Sequence, residues 1–103
     1  MIEIPLTKEI KEIAQRVIWF EQPEQSLKDP VRFIAYAMRY AHYKDMKVLR
    51  KYISDSDFIY ALDHIPPGIV DQRSWSYWNA LFDRYPAPHI PVRNFERSIP
   101  DTK

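Results

Sequence analysis

No cysteine occurs among the 103 residues. That rules out a disulfide framework, a thiolate zinc centre and a cysteine nucleophile. It suits a reducing compartment, and a cytoplasmic location is the expectation. Glycine is almost as scarce, with Gly68 standing alone. Phosphate-cradling loops and dinucleotide fingerprints need several glycines, because their turns use backbone that only glycine supplies. Many nucleotide-binding enzyme classes fall away with it. No apolar run approaches the ~20 residues of a membrane helix. Met1-Ile2-Glu3-Ile4-Pro5 has neither the basic flank nor the apolar stretch of a signal peptide. Charge of one sign is missing too. Fifteen Lys and Arg face fourteen Asp and Glu, a formal net charge of +1, and the whole-molecule field is weak.

What remains is apolar and aromatic. Hydrophobic residues make up 46% of the chain, enough for one core in a domain of this size. Their spacing is helical. Behind Thr7, an N-cap residue, Ile10, Ile13, Ala14, Val17 and Ile18 recur every three or four positions. Glu12 and Arg16 sit four apart on the wet side, in the favourable order. Trp19 and Phe20 close this helix, and Pro23 stops any continuation. Asp29-Pro30 opens a second helix that should bury Phe33, Ile34, Ala37, Met38 and Ala41. A third is expected over roughly residues 45–53, with Met46, Leu49 and Ile53 inward. Ser54 and Asp57 open a fourth, carrying Phe58, Ala61, Leu62 and Ile65, and Pro66-Pro67-Gly68 ends it. Asp71 or Ser74 caps a fifth, with Trp75, Trp78, Leu81, Phe82 and Tyr85 inside. Beyond Tyr85 the prolines at 86, 88 and 91 forbid helix. The expected fold is therefore all-α: a small bundle of about five short helices in residues 1–85, then a proline-rich extended arm over residues 86–103 that leaves the bundle.

Catalytic constellations are hard to build from this chain. His42, His64 and His89 share no i, i+4 metal-ligand spacing with one another or with a carboxylate. Ser74, His64 and Asp71 could form a triad on paper, but bulky neighbours surround Ser74 where a nucleophile elbow needs glycine. The expectation is a chain that is not an enzyme, with no cofactor and no metal.

Binding is easier to argue. Tyr36, Tyr40 and Tyr43 fall in a narrow arc beside the apolar stripe of the second helix. Tyrosine offers much contact area for little entropy and is enriched at interfaces. A covered, central helix would equally make these rings core. Arg73 and Tyr77 lie in the aromatic segment 71–78, where anchoring the last helix competes with recognition. Residues 39–52 hold five Lys or Arg against Asp45, net +4, and residues 53–71 hold four aspartates and no cation. Solvated faces and caps account for this. So would a nucleic-acid surface on Lys44, Lys47, Arg50 and Lys51, although the acidic neighbour would repel phosphate. On the arm, Ile90, Arg93 and Phe95 have the pattern of anchors for a partner's groove. The arm could instead fold back over Trp75 or Trp19.

Several segments together resemble a family of short bacterial proteins encoded beside nucleotidyltransferase toxins of the abortive-infection AbiEii type. They are Ile18-Trp19-Phe20, Pro23-Glu24, Leu27 with Asp29-Pro30, Pro66-Pro67-Gly68-Ile69, Asp71, Arg73-Ser74-Trp75, Tyr77-Trp78, and Pro86, Pro88, Pro91 and Arg93. The block from Pro66 to Trp78 is the most specific. Gln72 stands where the family pattern has proline, and Val70 where a larger ring is common. The resemblance spans about residues 17–95 and implies an antitoxin-like or accessory partner of such a toxin. It carries no catalytic residue across.

Overall fold

The computed structural model describes residues 3–84 and 86–91, and among them it has six helices and no strand. They are α1 (Lys8–Val17), α2 (Pro23–Ser26), α3 (Pro30–Tyr40), α4 (Tyr43–Leu49), α5 (Asp55–Asp63) and α6 (Gln72–Leu81). The all-helical expectation holds. Four starts follow directly from capping chemistry, since the first N–H groups of a helix have no intrahelical partner. Thr7 accepts from the Ile10 N–H, Asp29 from Arg32, Ser54 from Asp57 and Asp71 from Ser74.

The extra helix is α2. Pro23 does stop the continuation of α1, and it also begins a helix of its own, because a first-turn proline forfeits no hydrogen bond. Its single turn is tied down by side chains. The buried Ser26 donates to Glu21 at 2.8 Å, and both Glu21 oxygens take Arg32, at 2.7 and 3.3 Å. The Arg32 bonds, then the Ser26 hydroxyl, hold the Glu21 carboxyl below its ordinary value.

At the centre lies α3, packed on α1, α2, α5 and α6. Phe33, Ile34 and Ala37 of α3 meet Ile10, Ile13 and Val17 of α1, Phe58 and Leu62 of α5, and Trp75 and Trp78 of α6 in one buried cluster. Trp78 stacks on Phe58 at 5.9 Å and donates its indole N–H to the Met38 carbonyl at 3.1 Å. This satisfies one of the carbonyls that the end of α3 leaves open. The helix α4 leans on α1, where the buried Asp45 takes Arg16. Arg16 is thereby committed to α4. The helix also starts and ends earlier than expected. Its His42 N–H donates to Asp45 Oδ2 at 3.3 Å, and Ile53 is buried from the turn beyond.

Two further expectations are corrected. Leu81 does not face inward but is exposed. The inner arc of α6 runs through Trp75, Trp78 and the fully buried Asn79, which leaves Leu81 on the Tyr77 side. The arm does not leave the bundle over its described part. Trp75 donates its indole N–H to the Pro88 carbonyl at 2.7 Å, and Ala87 and Ile90 pack half-buried on the core. A buried indole N–H needs an acceptor, and the Pro88 carbonyl, outside any helix, supplies it. Of the two fates open to the arm, residues 86–91 take the fold-back over Trp75. Tyr85, Arg93 and Phe95 lie outside the described residues.

Candidate functional site

Because α4 leans on α1 while α6 packs on α3, a cleft opens between α4 and α6. Its first hollow, about 380 Å³, has Met38, Ala41, Met46 and Trp78 as an apolar floor. Tyr43 and Tyr77 form its walls, with Arg73 and His42 at its edge. A second hollow of about 220 Å³ shares Tyr43, Met46, Tyr77 and Trp78 and adds Lys47, Arg50 and Leu81. The two are one groove. Tyr43 is 78% exposed and Tyr77 59%, unusual for large rings at the rim of an apolar floor.

The electrostatics are one-sided. No carboxylate lines either hollow. Asp45, the single acid of α4, points away to Arg16. Lys47 sits with its Nζ 5.6 Å from the Tyr43 ring centroid, and Arg50 shares its charge with Asp55 at 2.6 Å. Arg73 and Lys47 have no ion-pair partner among the described residues. Asp71 accepts from the Ser74 N–H at 2.9 Å and lies 3.9 Å from Arg39 rather than pairing with Arg73. Its carboxyl is held below its ordinary value by Ser74 first and Arg39 after it.

The fold thus sorts the residues singled out in the sequence. Tyr43, Arg73 and Tyr77 converge on the groove, and Lys47 and Arg50 of the basic set join them there. Lys44 and Lys51 are exposed but line neither hollow. Tyr36 and Tyr40 are separated from Tyr43, because the chain turns extended at Ala41 and Tyr43 begins the next helix. They stack at 6.3 Å in a different patch, completed by Trp19 and Phe20. Arg32 lies over Phe20 and Tyr36, and Arg39 over Tyr40. Trp19 and Phe20, expected only to close α1, are 64% and 53% exposed. They lie in the turn beyond the Ile18 cap, so the inward stripe of α1 no longer carries them into the core. Ile90 is half-buried against the chain's own core, so its role as an anchor for a partner is corrected to one in the fold.

The paper triad is not assembled as a catalytic set. Ser74 packs beside its own cap, while His64 Nδ1 lies 2.9 Å from the Tyr60 carbonyl with its ring stacked on Tyr60 at 4.0 Å. Among the described residues no three His, Asp or Glu side chains gather as a metal site, and no helix is long and apolar enough to cross a membrane. No family model matches the chain, and neither a curated protein nor a solved structure matches it.

Proposed function

We propose that this chain is a non-catalytic protein-interaction module that docks a partner in the groove between α4 and α6. The observation behind this reading is an open apolar floor flanked by two exposed tyrosines, with Arg73 and Lys47 on its rim. Tyrosine and arginine around an apolar pocket are the residue types that dominate interface energetics. The resemblance to proteins encoded beside nucleotidyltransferase toxins points to such a toxin as the partner, and to an antitoxin-like or accessory role in a bacterial cytoplasm. Co-expression with a nucleotidyltransferase encoded by the adjacent gene tests this. The two proteins should co-purify, and Tyr43→Ala with Tyr77→Ala should abolish the association while the melting temperature is kept. Association that survives the double substitution would exclude the groove.

A second reading, a nucleic-acid-binding regulatory domain, has one observation in its favour. Lys44, Lys47, Arg50 and Lys51 are all exposed on or just after α4, and Asp45 is turned inward. Against it, Asp55 and Asp57 follow at once and Asp55 already engages Arg50. Phosphate contacts release counterions, so true binding would fall steeply with salt. We expect no measurable duplex binding at physiological salt. Sub-micromolar binding there, with a salt slope reduced by Lys47→Gln and Lys51→Gln, would reverse the order of the two readings.

A further inference from the structure

We infer that the occupant of the α4–α6 groove is an acidic amphipathic helix of a protein partner, bound through two apolar side chains one turn apart. The inference rests on the docking reading and specifies its partner. Three observations converge on it. The first is geometric. From the larger hollow to the smaller, the lining advances from His42–Met46 to Tyr43–Arg50 along α4 and its caps, and from Arg73–Trp78 to Tyr77–Leu81 on α6. Both walls move about three residues toward their C-termini, so the helices run alongside the groove in the same sense. The hollows are then about one helical turn apart, or ~5 Å. Side chains at i and i+4 of a guest helix have about that separation.

The second observation concerns the backbone. Both walls are largely helical, so their main-chain groups already hydrogen-bond within their own helices. An extended peptide laid between them would find few partners for its N–H and C=O groups, and burying those unpaired is costly. A guest helix satisfies its own backbone and needs only side-chain contact.

The third is charge. Arg73 stands at one end of the groove on α6 and Lys47 at the other end on α4, with Arg50 just beyond it already paired with Asp55. With no carboxylate among the lining residues, acidic side chains on both flanks of the guest would be met by cations. This also sorts the rival occupants. The chain's own residues 92–103 carry three cations and two acidic side chains, the wrong balance for this rim. A second copy could offer α5 as its acidic helix, but α5 already spends Phe58, Ala61 and Leu62 on the core. The apolar side chains left on it, Ile59 and Tyr60, are adjacent rather than one turn apart and cannot serve as the two anchors.

The test is selection of displayed random peptides of about 16 residues, long enough for four turns, on the full-length chain. The chain carrying Arg73→Glu and Lys47→Glu serves for counter-selection. Enriched sequences should be rich in Asp and Glu, with apolar residues at i and i+4, and should become helical on binding by circular dichroism. Each charge reversal should weaken a selected peptide by about tenfold. A proline placed between the two anchors should abolish binding. Enrichment of basic or proline-rich sequences, or equal binding to the charge-reversed chain, would overturn the inference. So would failure of the selection to yield any groove-dependent sequence. Self-association, or gain of binding when the chain is ended after Pro91, would assign the groove to a second copy or to the tail and overturn it too. These outcomes are separable from failure of the docking reading itself. If a co-purifying partner is lost on Tyr43→Ala with Tyr77→Ala while the peptides prove non-helical, docking stands and only the helix falls.

Discussion

Replacing Trp78 probes the join between α3 and α6 more directly than any other single change. Its ring is 7% exposed, stacks on Phe58 and Phe82, and donates to the Met38 carbonyl. Trp78→Ala removes the whole ring, and buried aromatic-to-alanine changes cost about 3–5 kcal/mol. Trp78→Phe keeps an aromatic ring but deletes the N–H. The Met38 carbonyl then loses its partner at the end of α3, at a cost of about 1–3 kcal/mol. The expected order of stability is wild type, then Phe, then Ala. For a domain of this size each kcal/mol corresponds to about 4–8 °C in melting temperature. Urea titration followed by far-UV circular dichroism gives the midpoints, and an unchanged slope shows that stability rather than compactness moved. A phenylalanine variant as stable as wild type would mean that the Met38 bond contributes nothing. An alanine variant no worse than phenylalanine would remove the stacking from the account.

Deleting residues 86–103 should lower the melting temperature, since it strips the Pro88 acceptor from Trp75 and uncovers the core beneath Ala87 and Ile90; unchanged melting would leave the arm outside the fold. Acid should destabilise the protein through Glu21. Its folded-state value lies below its unfolded one, so its stabilisation is present above the ordinary glutamate value of 4.5 and is lost as pH falls through the lowered one. Glu21→Gln should flatten that acid limb in urea midpoints measured from pH 6 downward, and an equally steep limb would refute the assignment. Trp19→Ala should cost only about 1 kcal/mol, the scale of edge contacts between exposed rings. A loss comparable to Trp78→Ala would contradict its exposure.

Local chemistry was legible in the sequence and assembly was not. Thr7, Asp29, Ser54 and Asp71 announced their helices because a cap acts within three residues of itself. The stripes of α1 and α3 named their core residues because burial on one face imposes a period. Periodicity failed where a polar residue took an inward place. Asn79 is fully buried, its side-chain amide donating to the Trp75 carbonyl at 2.9 Å, and a reader of apolar spacing passes over it to Leu81. The break at Ala41 has no proline or glycine to mark it. Its signal is Asp45, whose carboxylate reaches back to the His42 N–H and starts α4 two residues earlier than expected. That shift carried Tyr43 away from Tyr36 and Tyr40 and put it opposite Tyr77. The groove is a product of how α4 and α6 rest on different neighbours, which no local pattern encodes.

Trp78 belongs to two structures at once: it floors the groove and clamps the end of α3. Substitutions at this site are therefore unequal in what they risk. Tyr43, Lys47, Arg73 and Tyr77 stand exposed on the rim and can be exchanged with little damage to the fold. Trp78 cannot be exchanged without loosening the bundle. A lineage that changes partners would be free to rewrite the rim while inheriting the floor, so divergent recognition could arise on an unchanged scaffold through mutations that leave stability almost untouched.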